Sequence, residues 1–190
     1  MNLPNKLTVA RIIATPIFMF TMLYPFPFHY FAALVIFIAA SLTDMLDGKI
    51  ARKRGLVTDF GKFLDPLADK MLTTAAFLAF LQSGECVGIA WIVFIVLFRE
   101  FMITSLRLVA VTKGSVIAAN MWGKAKTVSQ MIAIIATVAA EAFMSVFDFP
   151  ETAALIMNGV TAALLWICAA LTVISGIIYI YENRECIREA

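Results

Sequence analysis

The chain has 190 residues, of which 62% are hydrophobic and 15% charged, and its formal net charge is +2. That balance excludes a soluble globular domain, which would lack the polar surface to cover itself, and gives no reason to expect a nucleic-acid partner. A helical crossing of a bilayer takes roughly 20 apolar residues, so the length suits a single all-α domain over residues 1–190 with about six transmembrane helices.

Lys6 and Arg11 stand ahead of an apolar run that is long and lacks a persuasive small-residue cleavage site, so a retained first helix is expected rather than a removable leader. No Asp, Glu, Lys or Arg occurs from 12 to 43, and Pro25 and Pro27 divide that stretch into two helices around a tight turn at about 25–29. The third helix is expected to begin at Thr58 or Asp59, either of which can cap it, and to run to about residue 82. Helices four, five and six are expected over roughly 87–111, 121–140 and 152–181. Cys86, Cys168 and Cys186 are widely spaced and odd in number, which suggests neither a disulfide frame nor a zinc site. His29, Tyr30, Trp91 and Trp122 fall near predicted boundaries and read as interfacial residues.

Basic residues test this layout. The connections at 24–30, 82–88 and 141–151 contain no Lys or Arg, whereas Lys6, Arg11, the stretch 49–62, Lys113, Lys124, Lys126, Arg184 and Arg188 all fall on the opposite side. The positive-inside bias makes that side cytoplasmic, with both termini on it. Helices three, four and five are apolar only over 71–84, 86–98 and 127–140; their other halves carry Asp65, Asp69, Lys70, Arg99, Glu100, Arg107, Lys124 and Lys126. Charges in hydrocarbon cost several kcal/mol unless they meet water, partners or ligand, so a polar cavity opening to the cytoplasm is expected. The plainer alternative is that the charged halves protrude into solvent.

The acidic residues between 44 and 69 are patterned. Asp44 and Asp47 share one helix face with Gly48 and Ala51, and Gly61, Asp65 and Asp69 step by four along the next helix. Joined by a basic turn at about 52–57, the two helices can bring four carboxylates together beside three small residues. Oxygen ligands at that density suit Mg2+ or Mn2+, and two divalent ions would relieve the mutual repulsion while leaving positions for phosphate oxygens. Taken singly, each aspartate or glycine reads equally well as a helix end or a packing contact.

The residues Asp44, Asp47, Gly48, Ala51, Arg52, Gly61, Asp65 and Asp69, at these spacings, resemble the signature of the CDP-alcohol phosphotransferases. The resemblance implies a six-helix membrane fold, a cytoplasmic site and a homodimer. It implies that Asp44, Asp47, Asp65 and Asp69 hold the metal ions and that Asp69 also accepts the proton of the attacking hydroxyl. Gly48, Ala51, Arg52 and Gly61 match the family's nucleotide-contact positions, with Asn5 and Thr8 as weaker candidates. The segments NLPNKLTVARI and FREFMITSLRLVAVTKGSVIAANMWGKAKTVSQM are similar to the bacterial members that act on CDP-diacylglycerol and glycerol 3-phosphate. The final helix carries no comparable motif.

An acceptor with its own phosphate calls for cations. Arg99 and Arg107 lie eight apart near one face of helix four, and Lys124 and Lys126 open helix five, so these four are the candidates for the acceptor phosphate. Arg99 could instead pair with Glu100, the lysines then marking only the cytoplasmic boundary. A related enzyme using inositol phosphate or serine, and a small cation transporter with aspartates along an ion path, are the competing functions.

Overall fold

The computed structural model describes residues 3–54, 59–112 and 121–184. Among them the regular elements are all helices: α1 (Leu3–Leu23), α2 (His29–Arg54), α3 (Asp59–Ser83), α4 (Ile89–Thr112), α5 (Met121–Met144) and α6 (Glu151–Glu182). Among the described residues four helices hold segments long and apolar enough to cross a membrane: Asn5–Leu23, Ile89–Ala110, Met121–Met144 and Glu151–Glu182. In α2 a shorter apolar stretch, His29–Thr43, leads into the acidic signature. The observed bounds lie within a few residues of those expected, because proline, glycine and charge punctuate the apolar runs where helices must end.

The residues group into two compact units. The first contains α1, α2, α3 and residues 134–157; the second contains residues 85–133 and 158–190, and so the described part of α4, the start of α5 and most of α6.

In the first unit α1 packs against both α2 and α3. Its core alternates large and small side chains. Phe18 and Phe37 meet at 5.4 Å between ring centroids, and Ala33 and Ala40 of α2 and Ala68, Ala75, Ala76 and Ala79 of α3 are buried as well. Alanines let helix backbones approach closely, which matters where lipid competes on equal terms for every apolar side chain. The outward residues are as apolar as the inward ones, with Ile13, Ile17, Phe20 and Val35 exposed. Hydroxyls return to their own helix: Thr15 Oγ1 donates to the Arg11 carbonyl at 3.0 Å and Ser41 Oγ to the Phe37 carbonyl at 2.7 Å, the local solution where no water is at hand. The α1–α2 turn is closed by the His29 ring, whose Nδ1 lies 2.9 Å from the Thr21 carbonyl.

In the second unit Ile92, Val96 and Ile103 of α4 and Leu165, Cys168 and Ala169 of α6 are buried. The α3–α4 connection carries two glycines in the left-handed region, Gly84 at φ 71 and Gly88 at φ 80. A Cβ at Gly84 would meet nothing within 4 Å, whereas one at Gly88 would stand 2.8 Å from Cζ2 of Trp166. Gly84→Ala is therefore expected to cost about 1 kcal/mol, from backbone strain alone, and Gly88→Ala about 2–3 kcal/mol, because the indole must also shift. Thermal denaturation of the two variants in detergent measures the difference, and equal midpoints would show that Trp166 does not confine Gly88.

Candidate active site

The acidic signature is carried by two successive helices of the first unit. Positions 44, 47, 48, 51 and 52 lie in the last turns of α2, and positions 61, 65 and 69 in the first half of α3. Both segments are helical, so the spacings of three and four repeat along one stripe of each helix. The side chains of Asp44, Asp47, Gly48, Ala51, Arg52, Gly61 and Asp65 lie outside the described residues, as do Lys113, Cys186 and the centre of the basic turn. Asp69 is described and exposed. Among the described residues no group of three or more His, Cys, Asp or Glu side chains comes together. The donor set of the signature itself fits a hard divalent ion: four carboxylates, no thiol and no imidazole.

The helix that packs on both signature helices has a polar stripe of its own. Asn5, Thr8 and Arg11 follow one another at intervals of three on α1 and are all buried, at 6%, 1% and 3% exposure. Asn5 and Thr8 were expected at the nucleotide site. In the sequence Arg11 marks membrane orientation, and its three-residue step from Thr8 also places it on the same face. Charged side chains inside an apolar bundle face partners or ligands rather than lipid, so Arg11 joins the candidate residues.

The four candidate cations belong to the second unit and fall into two kinds. Lys126 of α5 is buried, at 3% exposure, and forms an ion pair with Glu100 of α4. Arg99 Nη1 lies 3.4 Å from the same carboxylate oxygen, and its Nη2 donates to Ser175 Oγ of α6 at 2.7 Å. Glu100 thus joins two cations, and this part of the set has a structural reason to exist whatever else it binds. Arg107 and Lys124 are exposed. Arg107 Nε donates to the Tyr179 hydroxyl at 3.2 Å, and its Cζ lies 5.6 Å from the centre of the Tyr179 ring. Among the ion pairs of the described residues, Glu100 is the carboxylate that meets Arg99 and Lys126, and Arg107 is held by a neutral phenol, an arrangement that suits an anion. Ser175 and Tyr179 come from the helix in which the sequence shows no motif.

An all-α chain with several membrane-spanning helices, an acidic signature on two of them and a cationic cluster on others defines a multi-pass membrane protein equipped for phosphate chemistry. Residues 1–174 match the family model described as CDP-alcohol phosphatidyltransferase, and the chain belongs to that family. The chain is 42% identical to the CDP-diacylglycerol–glycerol-3-phosphate 3-phosphatidyltransferase of Bacillus subtilis (strain 168), with 98% of this chain and 97% of that protein covered. A protein of the same description from Rickettsia bellii is 37% identical, with 94% and 93% covered. The probable phosphatidylglycerophosphate synthase of Mycobacterium tuberculosis is 36% identical, with 94% and 80% covered.

Removing the carboxylate shared by Arg99 and Lys126 leaves two cations without their acid. Glu100→Gln is expected to destabilise the protein by about 3 kcal/mol, because a broken buried pair leaves an uncompensated charge. A lowered denaturation midpoint in detergent is the expected reading; an unchanged one would mean that the pair holds nothing together.

Proposed function

We propose that this protein transfers the phosphatidyl group of CDP-diacylglycerol to glycerol 3-phosphate, giving phosphatidylglycerophosphate and CMP in bacterial phospholipid synthesis. The observation that carries this reading is the complete acidic signature on α2 and α3, in a chain 42% identical along almost its whole length to a relative named for that reaction.

On this reading the whole chain works as one catalytic domain. A hydroxyl of glycerol 3-phosphate attacks the phosphorus attached to the lipid, the bond from that phosphorus to the CMP oxygen breaks, and CMP leaves. Asp69 accepts the proton of the attacking hydroxyl. Asp44, Asp47, Asp65 and Asp69 would hold two divalent ions, Mg2+ or Mn2+, which supply charge neutralisation at the diphosphate and make CMP a better leaving group. Gly48, Ala51, Arg52 and Gly61 contact the nucleotide, and the buried stripe of Asn5, Thr8 and Arg11 on the adjoining helix belongs to the same site. Two anionic substrates bound by the same protein no longer have to find each other by diffusion.

Arg107 and Lys124 receive the acceptor phosphate, with Arg99 and Lys126 behind them as a paired layer. The exposure of the first two and the engagement of the last two with Glu100 support this order. An alcohol without a phosphate, such as serine, would not need these cations. The catalytic face and both termini are cytoplasmic, the protein lies in the cell membrane among its lipid substrates, and it works as a homodimer, as the family resemblance implies.

A purified-protein assay tests the reaction: CDP-diacylglycerol with glycerol 3-phosphate and Mg2+ or Mn2+ should release CMP, and chelation should stop it. Release only with serine or inositol phosphate would defeat the assignment, and metal-dependent ion flux without CMP would favour a transporter. Asp69→Asn should abolish CMP release while the denaturation midpoint stays in place; a near wild-type rate would remove the proposed base.

Orientation has its own readout in Cys86, which stands in the α3–α4 connection. Its thiol is pushed above the ordinary value by partial burial and then by the neighbouring Glu85 carboxylate. Below that raised pKa, labelling by a membrane-impermeant maleimide should speed up about tenfold per pH unit as the thiolate forms. In intact cells the label, located by mass spectrometry, is expected on Cys86. Labelling only after the membrane is opened would reverse the orientation.

A further inference from the structure

The two arginines of α4 are held by residues of α6 that lie beyond residue 174, where the family match ends. Ser175, Gly176 and Tyr179 occupy one face of α6 at intervals of one and three. The Ser175 and Tyr179 side chains are fully buried, at 0% and 1% exposure. Ser175 Oγ accepts from Arg99 Nη2 at 2.7 Å. A Cβ at Gly176 would stand 3.3 Å from Arg99 Cγ, so the absence of a side chain there makes room for the arginine stem. Tyr179 holds Arg107 twice, through its hydroxyl at 3.2 Å from Nε and through its ring face.

A guanidinium offers five N–H donors in a rigid planar fork. Tyr179 takes the one on Nε, and among the described residues no partner takes those on Nη1 and Nη2 of Arg107. The edge left over is the edge that grips a phosphate bidentately.

We propose that Tyr179, seconded by Ser175, is a positioning residue for acceptor recognition: the hydroxyl-bearing face of α6 fixes the arginines of α4 so that the Nη edge of Arg107 is preset for the phosphate of glycerol 3-phosphate. This rests on the reaction proposed above. An unanchored arginine would have to be ordered each time the acceptor binds, and the loss would appear in acceptor affinity rather than in the chemical step.

Tyr179→Phe keeps the ring and its packing and removes only the hydroxyl. In the full-length detergent-purified protein it is expected to raise the KM for glycerol 3-phosphate about tenfold, the scale of one hydrogen bond to a charged group, with kcat and the KM for CDP-diacylglycerol within about twofold. Ser175→Ala should act in the same direction but less, through Arg99. In an Arg107→Ala background Tyr179→Phe should have no further effect, because its means of action is gone. Denaturation midpoints near wild type for Tyr179→Phe and Ser175→Ala would separate positioning from folding. An unchanged acceptor KM in Tyr179→Phe, or the full effect persisting without Arg107, would overturn the proposal. No CMP release from wild-type protein with glycerol 3-phosphate would instead sink the reaction itself, and an acceptor KM indifferent to Arg107→Ala would sink the acceptor site and this proposal together.

Discussion

A bilayer interior offers no water to a polar group, and every charge, hydroxyl and amide within this chain must therefore be satisfied by the chain or by what it binds. Helices answer for the backbone. Threonine and serine hydroxyls answer for themselves by donating to carbonyls three or four residues back, as Thr21 does to Phe18 and Thr172 to Cys168. Charged side chains have no such local remedy, and their placement organises the rest. Glu100 brings α4 and α5 together by holding Lys126, and Arg99 beside it ties α4 to α6 through Ser175.

The same constraint gives the polar residues their functional meaning. On the proposed reading the aspartates of α2 and α3 converge and need cations to offset their repulsion, whereas the basic residues of α4 and α5, which outnumber the acidic ones there, receive an anion. Such an imbalance would be wasteful in a merely structural core, where replacing charges by well-packed apolar side chains is often neutral or stabilising. In a chain that belongs to the CDP-alcohol phosphatidyltransferase family, opposite imbalances suit a reaction between two phosphate-bearing substrates with metal as counter-ion.

Helix α6 illustrates how an element can matter without a recognisable motif. It is the most apolar helix by composition and reads as a plain membrane span. Yet Thr172, Ser175, Gly176 and Tyr179 make a narrow polar face on it, buried and partly occupied by the arginines of α4. A few hydroxyls at helical spacing suffice to hold a guanidinium in place, because each hydrogen bond to a charged donor is worth more than one between neutral groups.

The sequence by itself determined the membrane class, the six helices and the acidic signature, since these follow from local rules: apolar run length, proline and glycine punctuation, and spacings of three and four on a single helix. Arg11 was legible in principle, as the next step of the Asn5 and Thr8 stripe, but was hidden by its second reading as an orientation signal. Which cations are tied to an acid and which are exposed could not be read from residue types. Arg99 and Arg107 look alike in the sequence and differ in the structure because Glu100 and Ser175 meet one while Tyr179 meets the other. Ser175 and Tyr179 are more than 70 residues from their partners, at separations of 76 and 72. Only tertiary packing chooses among contacts at that distance, because the pattern within one helix fixes which residues share a face and says nothing about the helix that face will meet.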